Sequence, residues 1–478
     1  MNFNSFQFVL FLPIVMIAVA FARRLAVPKG PQIVILVASL VFYAYARPSY
    51  LPYLLGSILV NWQASRWIAG SAGVRRTRLL QLGLAFNIGL LCVFKYLNFF
   101  MGSIPYFAHH RFHAPTLAFP LGISFFTLTQ IMYLIDCYEK LIPPSSFFDH
   151  ITFVSFFPYV ISGPIGRAKR ILHQMPALNS GIGPSADMHA RALYLFSIGL
   201  IKKVVLADAF SKAADYGFGN ISHLSAIEAW AFATAYALQI YFDFSGYSDM
   251  AIASALCFGI EIPRNFDAPL RAKSIIEYWQ RWHMSLTSFI TTYIYTPLVK
   301  SFGPVTLLTS GIATFLAMTI AGLWHGANWT FVIFGAIHGL GLAVNQCWRK
   351  MKMPAIPKPL SWLFTLMVFD TAFIFFRAPD VQTASLYLTR FCDWHHVFGI
   401  ENLHRMNGVG PGTGVMFVVF SLAQITGIGA AFFGKTSDQL AREFKPTLLS
   451  YAATSACMLF ALFYLSSNVV KPFVYFAF

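Results

Sequence analysis

Residues 312–347, IATFLAMTIAGLWHGANWTFVIFGAIHGLGLAVNQC, contain no Asp, Glu, Lys or Arg, yet carry two histidines, His325 and His338. As one uninterrupted helix the run would be roughly 54 Å long at 1.5 Å per residue, well beyond a hydrocarbon core of about 30 Å. A break is expected, and Gly322 and Gly326 mark its place. His325 then stands at the junction of two helices, where backbone groups are open to water or substrate. A titratable imidazole in lipid needs partners or a wet cavity, which makes His325 a functional-site candidate by default. On the second helix Gly335 and Gly339 form a small-xxx-small pair suited to close packing. His338 beside that seam reads as a hydrogen-bonded packing histidine.

The rest of the 478-residue chain is of the same kind. It is 57% hydrophobic and 11% charged, where a soluble domain carries about 25% charged residues. The chain therefore reads as an all-α polytopic integral membrane protein. Fifty Phe and twenty-one Tyr suit a lipid-facing surface with interfacial belts. The net charge of +16 sits in short loops between apolar runs. Membrane lipids with anionic headgroups explain that distribution, and no nucleic-acid partner is implied. A coenzyme-sized anionic donor on the cytoplasmic side is a second reading. The six cysteines are widely spaced, with no CxxC pair.

Residues 6–22 form a first apolar span ending at Arg23-Arg24. No positive region precedes it, so it reads as uncleaved, with its N-terminus extracytoplasmic. Basic residues in the next loops alternate: Arg23, Arg24 and Lys29, then Arg47, then Arg66, Arg75, Arg76 and Arg78. That places the first and third loops in the cytoplasm. Further apolar spans fall at about 31–46, 50–68, 79–103, 117–137, 150–166, 190–209, 226–244, 247–260, 304–322, 327–347, 361–377, 412–433 and 447–466. Several are short for a crossing of about 20 residues. About eleven crossings are expected, with the remainder re-entrant or interfacial. One membrane-embedded domain would cover 1–478, with no soluble domain. Gly163-Pro164-Ile165-Gly166, Phe244-Ser245-Gly246-Tyr247, Pro263 and Pro269 interrupt the central third. Non-helical backbone at depth lines a cavity or is buried in protein, which favours a central tunnel.

Two further segments could carry chemistry. In Ile276-Glu277-Tyr278-Trp279-Gln280-Arg281-Trp282-His283-Met284, Glu277 and Arg281 stand four apart and can pair on one helical face. Trp279 and His283 have the same spacing, giving a ring-lined imidazole; an interfacial helix held by its tryptophans is the alternative. In Tyr241-Phe242-Asp243-Phe244-Ser245-Gly246-Tyr247-Ser248-Asp249, two carboxylates lie deep in apolar sequence. Each costs about 2.5–3.5 kcal/mol at a helix centre unless paired. Arg264, Arg271 and Arg281 are the nearby candidate partners. Gly246 is expected to break the helix between Asp243 and Asp249, whose role would be to fix helices or orient an imidazole. HExxH, Walker A and GxSxG motifs are absent. His395, His396 and His404 could bind metal or simply lie at the surface, and no metal site is assigned.

Taken together, these segments resemble the membrane-bound O-acyltransferase superfamily, in its bacterial branch of alginate O-acetyltransferase and teichoic acid D-alanyl transferase subunits. The resemblance rests on YFDFSGYSDMAIA at 241–253, NF at 265–266, the run at 279–286 and GLWHGANWT at 322–330. It extends through IKKVVLAD at 201–208, FKYLNF at 94–99, PLGISFFT at 120–127 and PFVYFAF at 472–478. The resemblance implies that His325 is the signature histidine and His283 a second polar centre. It further implies a tunnel joining the cytoplasmic donor side to the opposite face. Gln280 departs from the Arg of many relatives, and Lys300-Ser301-Phe302-Gly303 replaces a longer basic loop.

The resemblance implies acyl transfer in a bacterial inner membrane. The donor would be acetyl-CoA or an acyl carrier, and the final acceptor an exported polysaccharide, alginate-like or another exopolysaccharide. His325 would act as general base, since desolvation favours the neutral imidazole that takes a proton. His283 would orient a substrate or the first imidazole, or donate to the developing oxyanion. Asp243, Ser245, Asp249, Arg281, Trp282, Trp324 and Asn328 would bind substrate or support the site. No bound cofactor is required. The resemblance also implies an extracytoplasmic esterase-like partner with a Ser-His-Asp site. D-alanyl transfer to an envelope polymer, or a transporter or flippase relaying protons through histidines, are the rivals.

Overall fold

A computed structural model describes residues 1–104, 119–393, 414–467 and 473–474 of the chain. Among these residues every regular element is helical. Six helices among the described residues are long and apolar enough to cross a membrane: Phe6–Arg24, Gly73–Ser103, Leu307–His325, Trp329–Lys350, Lys358–Arg377 and Leu448–Ser466. A seventh crossing is formed if Gly30–Ala44 and Pro48–Ala69, bent by 113° at their junction, count as one broken span. The chain is a multi-pass membrane protein. Some of the other apolar runs are built differently from one regular helix. The 150–166 run folds as the short helix Phe147–Ser155 followed by irregular backbone at 156–167. Residues 156–166 there are buried in protein, the condition under which non-helical backbone survives at depth. The 190–209 run divides into Ala186–Ile201 and a π-helical stretch, Lys202–Ala207.

The chain forms two compact units. One comprises Met1–Ser197, Ser248–Arg264 and Phe444–Ala456; the other comprises Ile198–Tyr247, Asn265–Glu443 and Cys457–Phe478. In the first, Phe8, Phe42, Phe157 and Phe196 build an aromatic core. His150, fully buried there, shares a hydrogen bond of 3.1 Å with Gln130.

The second unit contains the quoted apolar run. Leu307–His325 starts at a Thr306 capping box, and Trp329–Lys350 starts at Asn328, whose side chain accepts from Thr330 N. The break therefore falls at 326–328. Gly322, expected to share in it, lies inside the first helix and serves packing. A Cβ on Gly322 would stand 2.3 Å from Phe331 O, and one on Gly335 only 2.4 Å from Met318 O. The two helices pass backbone against backbone, as the Gly335–Gly339 spacing predicts.

Asp243 and its neighbours lie on one unbroken helix, Ala226–Leu256. Gly246 does not break it. A Cβ there would come within 2.7 Å of Gly199 O and 3.1 Å of Lys202 Cβ. The glycine is needed for close approach of the π-helical segment rather than for a turn. Pro263 and Pro269 do interrupt helix: apart from a 3-10 turn at Pro269–Arg271, residues 260–274 are irregular.

Candidate active site

His325 is the last residue of its helix and is 6% exposed. Its ring packs edge-on against Trp324, Phe334 and Phe376, with centroids at 5.0, 5.8 and 5.4 Å. Trp324 also faces His283, at 6.5 Å between centroids. A single indole thus separates the two imidazoles that the sequence singles out.

His283 reaches this place by a strained turn. Ser274 caps the helix Ile275–Arg281, Trp282 is extended, and His283 adopts φ 43°, ψ 50° before Met284–Phe289 begins. Non-glycine residues rarely adopt this left-handed conformation, and it persists only where surroundings over-determine it. Asn265 does so. Its backbone O accepts from Met284 N at 2.9 Å. Its Oδ1 accepts from Ser285 N at 3.2 Å and Ser285 Oγ at 2.6 Å, and lies 3.3 Å from His283 Nδ1. The turn also undoes the expected pairing of Trp279 with His283, which assumed continuous helix. Phe244 packs on the His283 ring instead, at 4.6 Å.

These bonds fix the tautomer. A backbone N–H reaches Asn265 Oδ1, so that atom is an acceptor and His283 Nδ1 must carry the proton facing it. Burial pushes His283 down to about 3, so the ring is neutral and Nε2 carries a lone pair. Through Nε2 the ring accepts. Donation to an oxyanion, one of its expected roles, would require the imidazolium. His338 has the opposite arrangement. Trp279 Nε1, which can only donate, lies 3.4 Å from His338 Nδ1, leaving the proton on Nε2. His338 is fully buried between Tyr278, Trp279 and Phe334, as a packing histidine would be.

The remaining candidates divide. Trp282 is buried against Phe266, Tyr278, Phe369 and Phe373 and forms a wall beside His283. Arg281 pairs with Glu277 at 2.9 Å as expected, and also donates to Asp267 O. Asn328 caps its helix and donates to Pro379 O at 2.7 Å, so it holds the hairpin tip. Asp243 pairs with none of the three expected arginines. Its partner is Lys203, at 2.5 Å and equally buried. Arg271 bonds Gly434 O instead, and Arg281 is taken by Glu277. Ser245 Oγ is buried and meets no hydrogen-bond partner among the described residues. Asp249 is buried and belongs to the other unit. His395, His396 and His404 lie outside the described residues.

Three functional candidates escaped the sequence reading. Asn265 and Lys203 sat in quoted motifs but carried no local signal of their roles. Asp370 did carry one, being a carboxylate inside an apolar run. It is fully buried, with Oδ2 accepting from Thr234 Oγ1 at 2.8 Å. The second unit also holds a cavity of about 250 Å³ lined by Trp279, Gln280, Thr291, Tyr295, Met318 and Gln346, among others. No charged side chain lines it, so it suits an uncharged group with hydrogen-bonding capacity.

The chain is 38% identical to a peptidoglycan O-acetyltransferase of Helicobacter pylori over 80% of its own length and 78% of that protein. It is 34% identical to a probable alginate O-acetylase of Pseudomonas aeruginosa, over 84% of this chain and 76% of the other. Similarity to a teichoic acid D-alanyltransferase of Streptococcus thermophilus is 30% over 48% of this chain and 58% of that one. The family model described as membrane-bound O-acyltransferase matches residues 71–381, which include the paired histidines, Asn265 and the hairpin. The chain belongs to the membrane-bound O-acyltransferase family.

Proposed function

We propose that this O-acyltransferase takes an acetyl group from acetyl-CoA on the cytoplasmic side of a bacterial inner membrane and passes it on for O-acetylation of an exported or envelope polysaccharide. The observation that carries this reading is the pair of buried imidazoles on either side of Trp324, one with its lone pair fixed on Nε2. In the reaction a hydroxyl oxygen attacks the thioester carbonyl and its proton passes to His325. The carbon–sulfur bond then breaks, and the proton goes to the departing thiolate, which regenerates the neutral ring. Base catalysis of this kind contributes about 10²–10⁴-fold. His283 accepts a hydrogen bond through Nε2 and orients the hydroxyl or the first imidazole. The uncharged cavity beside Trp279 suits the amide-bearing arm of a thioester donor.

The working architecture is one membrane-embedded domain of about eleven crossings around a tunnel, with the N-terminus extracytoplasmic. An esterase-like extracytoplasmic protein with a Ser-His-Asp site would receive the acetyl group and deliver it to the sugar. Relatives named for peptidoglycan and for alginate, at 38% and 34% identity, support the polysaccharide class over any one glycan. D-alanyl transfer is the second reading, favoured by the teichoic acid relatives.

Proteoliposomes with labelled acetyl-CoA test the proposal. Wild type should form a labelled ester on an acceptor hydroxyl, and His325→Ala should lose it while remaining monodisperse in detergent. Unchanged transfer by His325→Ala would sink the assigned role. Label crossing the membrane without a covalent product would point to transport.

A further inference from the structure

We propose that the C-terminal residues Phe473 and Val474 are positioning residues that form, with Lys203, a clamp on Asp243 that sets the position of His283. Three stretches distant in sequence meet at one buried carboxylate. Lys203, from the π-helical stretch, bonds Asp243 Oδ1 at 2.5 Å and lies 3.4 Å from Asp208 Oδ1. Val474 N donates to Asp243 Oδ2 at 2.9 Å. The Phe473 ring covers the Lys203 ammonium at 5.0 Å and meets Tyr247 edge-on at 4.8 Å. Tyr247 is one helical turn beyond Asp243. Both carboxylate oxygens and the next turn are therefore engaged together.

What the clamp controls follows from the next residue. Phe244 lies about 100° around the helix from Asp243 and packs on the His283 ring at 4.6 Å. With side chains at a radius of about 5–6 Å, a 10° rotation of this helix would move Phe244 by about 1 Å. A misplacement of that size at a reacting group can cost about 10²-fold in rate. Close approach at Gly246 already holds the helix against the π-helical stretch, so the C-terminal residues control its rotation rather than its packing distance. Lys203 and Val474 act through Asp243 and Phe244, so both are positioning residues.

The kinetic consequence rests on the acetyl-transfer reading; the positional one does not. Val474→Pro deletes the N–H that reaches Asp243, while Val474→Ala keeps it. Phe473→Tyr keeps a ring over Lys203, while Phe473→Ala removes it. In proteoliposomes with acetyl-CoA, Val474→Pro and Phe473→Ala should lower kcat about 10- to 100-fold with KM within about twofold. Val474→Ala and Phe473→Tyr should stay near wild type. Hydrogen exchange at the amides of 282–285, measured on the same proteins in detergent, should rise about tenfold in the two disruptive variants alone. Exchange that is equal across all four variants would overturn the clamp, whether or not wild type transfers acetyl. Wild type without transfer would refute the functional reading and leave the exchange result to decide the clamp. If Val474→Pro does not yield folded protein, the Phe473 pair decides alone.

Discussion

Asn265 should matter as much as either histidine, although it does no chemistry itself. Its side-chain oxygen receives Ser285 N, Ser285 Oγ and His283 Nδ1, at 3.2, 2.6 and 3.3 Å. In Asn265→Ala those three bonds go. At about 1 kcal/mol net each, the loss is about 3 kcal/mol. The left-handed turn at His283 costs about 1–3 kcal/mol, and it can relax once it is no longer held. The net destabilisation should then be at most about 2 kcal/mol, small enough for the variant to fold. Activity should suffer more, because relaxation moves the imidazole. A shift of about 1 Å lowers kcat by up to about 10²-fold. Asn265→Asp keeps the acceptor, with three donors to offset burial of its charge, and should retain most of the activity. The assay is steady-state acetyl transfer in proteoliposomes, paired with thermal unfolding in detergent. The reasoning is refuted if Asn265→Ala keeps wild-type kcat, or if Asn265→Asp falls as far as the alanine variant.

Three further outcomes are expected. His283 is neutral in the fold, pushed down to about 3, whereas an unfolded histidine titrates near 6.5. Below that value the unfolded state binds the extra proton. This contribution to stability is therefore lost as pH falls from about 6.5 toward 3, by up to about 1.4 kcal/mol per unit. Melting curves of His283→Asn should show a shallower loss between pH 6.5 and 5 than wild type. Lys203→Met leaves Asp243 buried without its ammonium and should destabilise by about 3–5 kcal/mol, with most of it recovered in Lys203→Met/Asp243→Leu; denaturation in detergent that shows no recovery would contradict the pairing. Thr291→Trp, which fills the uncharged cavity, should raise KM for acetyl-CoA about tenfold at unchanged kcat, matching about 1.4 kcal/mol of lost binding.

The hairpin that seats His325 was legible because a charge-free run too long for one crossing must break, and glycines four apart must pack. Asp243's partner was not legible. Sequence proximity pointed to arginines within forty residues downstream. The true partner lies forty residues upstream, in a π-helical stretch that no 3.6-residue periodicity predicts. The Trp279–His283 pairing failed for a related reason, since one left-handed residue ends the helix that the spacing assumed. Gly246 misled because sequence marks a glycine without saying whether it turns the chain or admits a neighbour. Crossing number is harder to read from sequence. A segment buried by protein and one buried by lipid are both apolar, and length alone separates them poorly when helices such as Ile123–Tyr138 stop short.

The two histidines that flank this site in sequence, His283 and His338, look alike as letters and differ in what their surroundings spend on them. His338 sits in regular helix and receives a single long hydrogen bond from Trp279. An apolar ring of similar size would fill that space at small cost. His283 sits in a backbone conformation that most residues avoid, and Asn265 accepts four hydrogen bonds to keep the turn there. Packing alone gives no reason for that arrangement, since a residue in ordinary helical geometry could fill the same volume without strain. The strain is intelligible if the atom it aims matters. That atom is Nε2, held as an acceptor in a ring that faces the same indole as His325. Strain, fixed tautomer and shared neighbour thus separate a placed imidazole from a packed one.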